Sequence, residues 1–482
     1  MQYKLSISNP SEHFIKAEWT INNIHQNIIH IQLPAWRPGR YELQNFAKNI
    51  RCFAITDKKG DSIPFKKITK DRWEVNTNGV NEIIVSYEYY ANQYDAGGSY
   101  ADEHQLYVNP VNCFMYVEGR EDEKYEIEIV VSDEYKIACQ LPVKGKKIVA
   151  DNFDELADSP FIASATIQHT SFKLHDSEIH FWFQGKHNLD IERLQLETER
   201  YAEKQIEIFK EFPGKDYHFL YHFLDRPFRH GVEHRDSTVI TMGKPDDQLE
   251  EEFYNDLLAI SCHELFHLWN IKRIRPVEML PYDFTKENYS ALGYVYEGIT
   301  TYYGDILLLR SGVWNWEQYC KSFETDLKRH VDNPGRFNYS VAESSFDIWL
   351  DGYVAGIPGR KTSIYIEGML AAFIADVMII KNSNAKYSLD DVMLDLYNTC
   401  YKHDKGYTEA DYKNLLEKYS GISFTAYFND IIWGKGNFEK YLYKICEYLG
   451  CTIDFFNIKL QLINDTDAIQ DILFEKWSQI KK

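Results

Sequence analysis

No Cys-x-x-Cys pair occurs in this sequence, and its eight cysteines, at positions 52, 113, 139, 262, 320, 400, 446 and 451, are scattered. This removes the paired-thiol motifs from consideration and points to reduced, mostly buried thiols, as in a cytoplasmic protein. Basic charge is also in short supply. Lys and Arg number 53 against 73 Asp and Glu, a formal charge of -20, which argues against a general nucleic-acid binder. No run of apolar residues is long enough to span a bilayer, so no membrane partner is expected. The N-terminus, MQYKLSISNPSEHFIKAEW, has no basic head followed by an apolar run, so no signal peptide is expected. What is present is a globular composition, 44% hydrophobic and 15% aromatic, over 482 residues. That length calls for two or three domains. Nothing in it fixes an oligomeric state.

The chain is organised around residues 262 to 276, CHELFHLWNIKRIRP. His263-Glu264-Leu265-Phe266-His267 is an H-E-x-x-H pattern. Residues four apart share one helix face, so His263 and His267 can grip one metal ion while Glu264 deprotonates a water held there. Zinc suits such a site because it accepts nitrogen and oxygen ligands and leaves one position open. The bland alternative is a surface helix with two unrelated histidines. Phe253, Leu257, Leu258 and Ile260 upstream, with Leu265, Phe266, Leu268 and Trp269, give more apolar surface than a surface helix needs. A third ligand is expected, and Glu297, in YVYEGITTYYGD (294 to 305), is the only acid on that apolar helix before Asp305. A carboxylate so placed is well explained by a metal.

Residues 1–165 read as β. YKLSIS, FIKAEWTI, IIHIQL, EIIVSYEYY and YEIEIVV are short, rich in β-branched and aromatic residues, and several alternate. LPAWRPGRY (33 to 41) reads as a loop with Trp36 and Tyr41 as core anchors. From 166 the texture changes. Strand-like IHFWFQG precedes an amphipathic helix, LDIERLQLETERYAEKQIEIFKEF; YHFLYHFLD is a strand, and DRPFRHGVEHRDSTVITMG a loop leading into another. Pro276 is expected to end the zinc helix, with Lys272, Arg273 and Arg275 capping its C-terminus and pairing with acids. Beyond 310 the pattern is helical. Thr408, three residues before Asp411, is close to a capping box.

Taken together, LPAWRPGRY, ADSPF (157 to 161), GVEHRDST (231 to 238), HELFHLWNIKRIRP (263 to 276), YEGITTYY (296 to 303) and IYIEGMLAAFIADVMI (364 to 379) resemble the M61 family of peptidases, glycyl aminopeptidase-like gluzincins. The resemblance implies a multidomain α+β fold: an N-terminal β-sandwich-like domain (1–165), a thermolysin-like zinc peptidase domain (166–310) and a helical C-terminal module completing the cleft (311–482). It implies one zinc ion per chain on His263, His267 and Glu297, with Glu264 as the catalytic acid/base. It gives Tyr365 the role of oxyanion donor and Glu233, on an edge strand, that of holding the substrate α-amine, with His234 ordering Glu233 or lining the cleft. Arg37, Arg40, Tyr100, Asp102 and Asn109 become candidate wall residues, and Phe228 and Phe266 candidates for the first side-chain pocket. The implied activity is removal of an N-terminal Gly or Ala from peptides with a free N-terminus.

Two departures stand out. The family usually has lysine where this chain has Glu367. Many members also continue into a PDZ-like domain, whereas the last 32 residues, from Cys451, are expected to close the core with one strand and one helix. The alternatives are a zinc endopeptidase of the same family, a hydrolase of small amides or epoxides using the same metal site, and a non-catalytic zinc-containing peptide-binding protein. Glu264 argues against the last, since structural zinc sites usually fill all four positions.

Overall fold

The computed structural model describes residues 1–246 and 248–481. The fold is multidomain α+β. Its contacts divide it into two compact units that interleave along the chain. The first holds Met1–Asn188, Gly214–Gln248 and Asp283–Glu287; the second holds Leu189–Pro213, Leu249–Tyr282 and Asn288–Lys482. No helix among the described residues is long and apolar enough to cross a membrane.

The first unit is built on sheets. In Phe14–Ile21 the alternation Ile15, Ala17, Trp19, Ile21 turns one face inward, and Ile83–Tyr90 repeats it. These strands belong to a seven-stranded sheet, with Gln2–Asn9 pairing both Phe14–Ile21 and Tyr125–Val130. A four-stranded sheet containing Ile28–Gln32 and Arg72–Asn76 lies face to face with it, Phe53 stacking on Trp73 at 4.6 Å. This is the expected sandwich. Trp36 and Tyr41 are buried, and the Trp36 indole donates to the Asp283 carbonyl at 2.7 Å.

A five-stranded sheet of the same unit runs in the order Gln168–Leu174, Ser177–Gln184, Asp216–Phe223, Ser237–Gly243, Phe228–Glu233. Its three central strands are parallel and its two edges antiparallel. The segment read as a loop before Ser237 is therefore an edge strand. Its Arg, His and Gly residues carry no β pattern of their own. Backbone pairing from Phe228↔Gly243 to Glu233↔Thr238 imposes the conformation.

The second unit is helical. The amphipathic segment after 189 forms Ile191–Phe209, N-capped by Asp190. The helix carrying His263 spans Glu250–Phe266 and stops there, with His267 at its C-cap. It does not run to Pro276. The Leu268 and Trp269 amides bond to Leu265 and Phe266 carbonyls three residues back, which tightens and ends the helix. The basic residues that follow are buried, and Arg273 donates to the Leu268 carbonyl at 2.9 Å, so one of them does serve the helix end. Thr408 and Asp411 form a full capping box. The tail after Cys451 contains a two-stranded hairpin, Cys451–Asp454 with Lys459–Leu462, rather than one strand, followed by helix Ala468–Ser478. Trp477 of that helix is fully buried and donates to the Tyr302 hydroxyl at 2.8 Å.

Helix Ile366–Asn382 is buried on nearly every side, which explains its unbroken apolar sequence. It packs on Tyr294–Gly298, a π-helical turn leading into helix Ile299–Arg310. Gly298 and Gly368 meet backbone to backbone. A Cβ on Gly298 would lie 2.3 Å from the Gly368 Cα, and one on Gly368 2.6 Å from the Gly298 Cα. Neither backbone can yield without moving a helix. Gly298→Ala is expected to destabilise the protein by about 1–3 kcal/mol, read as a lower denaturant midpoint with unchanged slope. An unchanged midpoint would show that the two helices are not held at this crossing.

Candidate active site

His263 and Glu264 lie on the last turn of Glu250–Phe266, and His267 caps it. The spacing of four brings the two Nε2 atoms to 3.1 Å. Glu297 comes from the π-helical turn, a geometry that recurs at functional sites. Its Oε2 is 3.4 Å from His267 Nε2 and 4.0 Å from His263 Nε2. Gly304, one helix over, lets its backbone approach the His263 Cβ, since an added Cβ would sit 3.2 Å away. His267, Glu297 and Glu264 are buried, and the His263 side chain is 19% exposed.

The donor set fits zinc. Two nitrogens at roughly 2.0–2.1 Å from a tetrahedral zinc lie about 3.3 Å apart, close to the observed separation. One ligand atom each from His263, His267 and Glu297 lies within 4.8 Å of the others. His267 Nδ1 is 2.6 Å from the Asn270 carbonyl. A carbonyl only accepts, so Nδ1 carries the hydrogen. In a neutral ring, Nε2 is then an acceptor that faces a carboxylate oxygen at 3.4 Å, with His263 Nε2 at 3.1 Å beside it. Two acceptors face to face in a buried place are what a bound cation resolves.

Asn270 is the residue sequence reasoning missed. Besides taking the His267 proton on its carbonyl, its side-chain amide donates to the Val295 carbonyl at 2.9 Å and to Thr300 Oγ1 at 3.1 Å. It ties the second histidine to the turn that carries Glu297. The only signal was a polar residue within the apolar run Leu268-Trp269-Asn270-Ile271.

Tyr365 stands immediately before helix Ile366–Asn382, one turn from Gly368, and lines a pocket with Ile348, Ile357, Thr362 and Ile364. The buried Glu367 pairs with His330 Nδ1 at 2.9 Å and accepts the Ser363 amide at 3.2 Å. Phe266 is fully buried, stacked on Tyr303 at 4.5 Å. With no exposed surface and its ring also against Phe209, it packs as a core residue. Burial pushes the Cys262 thiol well up, and Gln205 donates to its carbonyl at 2.9 Å, so that cysteine is structural.

Glu233 and His234 belong to the first unit, at the end of the edge strand Phe228–Glu233. Three of the sequence motifs meet here. Gly39, at φ +81°, packs against the Glu233 carboxylate so tightly that a Cβ would fall 2.5 Å from Oε2. His234 Nδ1 is 3.0 Å from Asp158 Oδ1, and Asp158 Oδ2 accepts the Arg235 amide. Glu233 is buried, and its Oε1 has no hydrogen-bond partner among the described residues. Arg37 is buried with its guanidinium against Gly97, and Arg40 pairs with Glu42 at 2.7 Å. Phe228 is half-buried, with the Arg226 guanidinium over its ring. Tyr100 is half-buried against Tyr94, Asp102 turns the chain by accepting the His104 and Gln105 amides, and Asn109 is buried.

Comparison with known proteins agrees with this reading of the sequence. Residues 2–165 match the peptidase M61 N-terminal domain, and residues 256–371 match the M61 glycyl aminopeptidase domain. A solved aminopeptidase N family protein from Idiomarina loihiensis is 29% identical, with a TM-score of 0.88 over 94% of this chain and 79% of its own. An M1 zinc metallopeptidase from Deinococcus radiodurans shares the fold at 12% identity, TM-score 0.57, over 90% of this chain and 93% of its own. Legionella pneumophila aminopeptidase A, solved with aspartic acid, does so at 13% identity and TM-score 0.55, over 90% of this chain and 49% of its own. No curated protein matched. The chain belongs to the M61 family of peptidases and is a metallopeptidase of the zinc aminopeptidase kind.

Proposed function

We propose that this protein removes the N-terminal residue, Gly or Ala, from peptides with a free N-terminus, using one zinc ion held by His263, His267 and Glu297. The observation that carries the reading is the buried His267 Nε2 facing Glu297 Oε2 at 3.4 Å beside His263. Bound there, zinc supplies Lewis acidity, polarising the scissile carbonyl and acidifying water. Glu264 then takes a proton from the attacking water and delivers it to the leaving amine. Tyr365 donates a hydrogen bond to the carbonyl oxygen as negative charge develops on it. Glu233 receives the substrate ammonium, a role supported by its buried, partnerless Oε1, which a charged donor would satisfy. His234, fixed by Asp158, holds the strand end that presents Glu233.

Residues 1–165, 166–310 and 311–482 are, in the same reading, the N-terminal, catalytic and C-terminal modules. A Deinococcus radiodurans M1 metallopeptidase variant was solved with a Tyr-Ser-Ala substrate, which supports a peptide substrate here. Eight cysteines without a disulfide support a reducing, cytoplasmic location.

Glu264→Gln is expected to lower kcat at least about a hundredfold while metal analysis shows zinc retained; undiminished turnover would remove Glu264 from the chemistry. Alanyl and glycyl fluorogenic substrates should lead a panel, and N-acetylated peptides should be left uncut. Cleavage of the acetylated peptides at comparable rates would instead identify an endopeptidase. Asn270→Ala is expected to weaken zinc binding by about 10–100-fold in a chelator competition with the protein still folded. Wild-type affinity in that variant would show that Asn270 does not orient His267.

A further inference from the structure

Strand Ser177–Gln184 turns Ile179, Phe181 and Phe183 inward and leaves Glu178, His180 and Trp182 on the opposite face, each only partly buried. In the parallel register Glu178 lies beside Asp216 and His180 beside His218. In the antiparallel register on the other side, His180 lies beside Ser171 and Trp182 beside His169. Sheet pairing thus gathers two carboxylates and three imidazoles, from three strands, on one face.

We propose that Glu178, His180 and Asp216 form a second metal site, for a divalent cation of the zinc type, sharing no residue with the active site. One ligand atom from each lies within 4.8 Å of the others. His180 Nε2 faces Asp216 Oδ1 at 3.7 Å, beyond hydrogen-bond length and open to an ion between them. Glu178 spends one oxygen on the Ser171 hydroxyl at 2.6 Å, which orients the carboxylate and leaves the other oxygen free to ligate.

The surroundings of His180 distinguish this cluster from a chance gathering of surface charge. A metal-binding imidazole needs its second nitrogen held, and His180 Nδ1 lies 3.1 Å from His169 Nε2. His169 is itself fixed by stacking on Trp182 at 3.9 Å. Beneath, the His180 ring stacks on His218 at 4.4 Å and 18°, and the Trp182 indole donates to His218 Nδ1 at 3.1 Å. Two imidazoles and an indole thus set the angle at which His180 Nε2 meets the two carboxylates. A neutral imidazole with two carboxylates balances a divalent charge, and the mixed nitrogen and oxygen set suits zinc. Such an ion would cross-link two adjacent strands near the sheet edge. Its rival for the carboxylates is Lys173, cross-strand from Glu178.

Calorimetric titration of Zn2+ into full-length protein already holding one equivalent tests the site. Wild type is expected to take up one further equivalent with a rise in unfolding temperature. His180→Ala and Asp216→Asn are expected to bind it at least tenfold more weakly, with peptidase turnover unchanged. The Asp216 side chain is 55% exposed, so Asp216→Asn remains informative should His180→Ala fail to fold. No second equivalent in wild type, as when Lys173 satisfies the acids, or equal uptake by Asp216→Asn, would overturn the proposal.

Discussion

Two hydrogen-bond acceptors facing each other in a dry interior are costly unless a cation lies with them, and the second unit is built so that this confrontation cannot relax. His267 cannot turn Nε2 away, because Nδ1–H is committed to the Asn270 carbonyl. Asn270 cannot shift, because its side chain is tied to Val295 and Thr300. The turn between those residues carries Glu297, and Gly298 locks it onto Gly368 with no room for a single extra carbon. Under the proposed zinc reading, preorganisation of this kind would let a metal meet ligands already in place, with little ordering cost left to the moment of binding.

The helices bearing those residues are held further out by a second buried network. Arg310 ends the helix that begins just past Glu297. It reaches Asp390 at 3.0 Å and Asp376 at 3.3 Å, and its Nε donates to the Trp477 carbonyl at 2.8 Å. Asp376 also accepts the Leu389 amide and the Tyr302 hydroxyl. A buried arginine is tolerable only when its donors are satisfied, and here satisfying them fastens the C-terminal helix to the glutamate helix. The helix after the hairpin thus contributes to the second unit's core.

How much of this was legible in the sequence depended on whether the determinant was local. The alternating strands around Trp19 and Tyr87 carried their own period, and the Thr408 cap its own chemistry; both are as expected. The convergence of His263, His267 and Glu297 was readable because metal chemistry restricts residue type and spacing together. Phe228–Glu233 was not readable as a strand from its own residues, only from the family resemblance, because its conformation is imposed by Ser237–Gly243. The helix end at Phe266 was missed because Pro276 offered a louder signal than the three-residue hydrogen bonds that stop the helix. Asn270 was invisible because its role runs through its main-chain carbonyl, which any residue possesses; only its side-chain bonds make it particular.

The acid at position 367 is accounted for by its partners. Arg336 only donates, so His330 Nε2, 3.1 Å from it, accepts. His330 Nδ1 must then carry the hydrogen, and it donates to Glu367. The row runs from carboxylate through neutral imidazole to guanidinium, and Arg336 pairs with Glu439 at the far end. A lysine at 367 would present a donor to a donor and set a second cation beside Arg336. The second Glu367 oxygen accepts the Ser363 amide while Ser363 Oγ accepts that of Ile366, a reciprocal cap with Tyr365 inside it. Glu367 therefore fixes the turn around Tyr365, and its own negative charge is absorbed by the row of partners behind the helix.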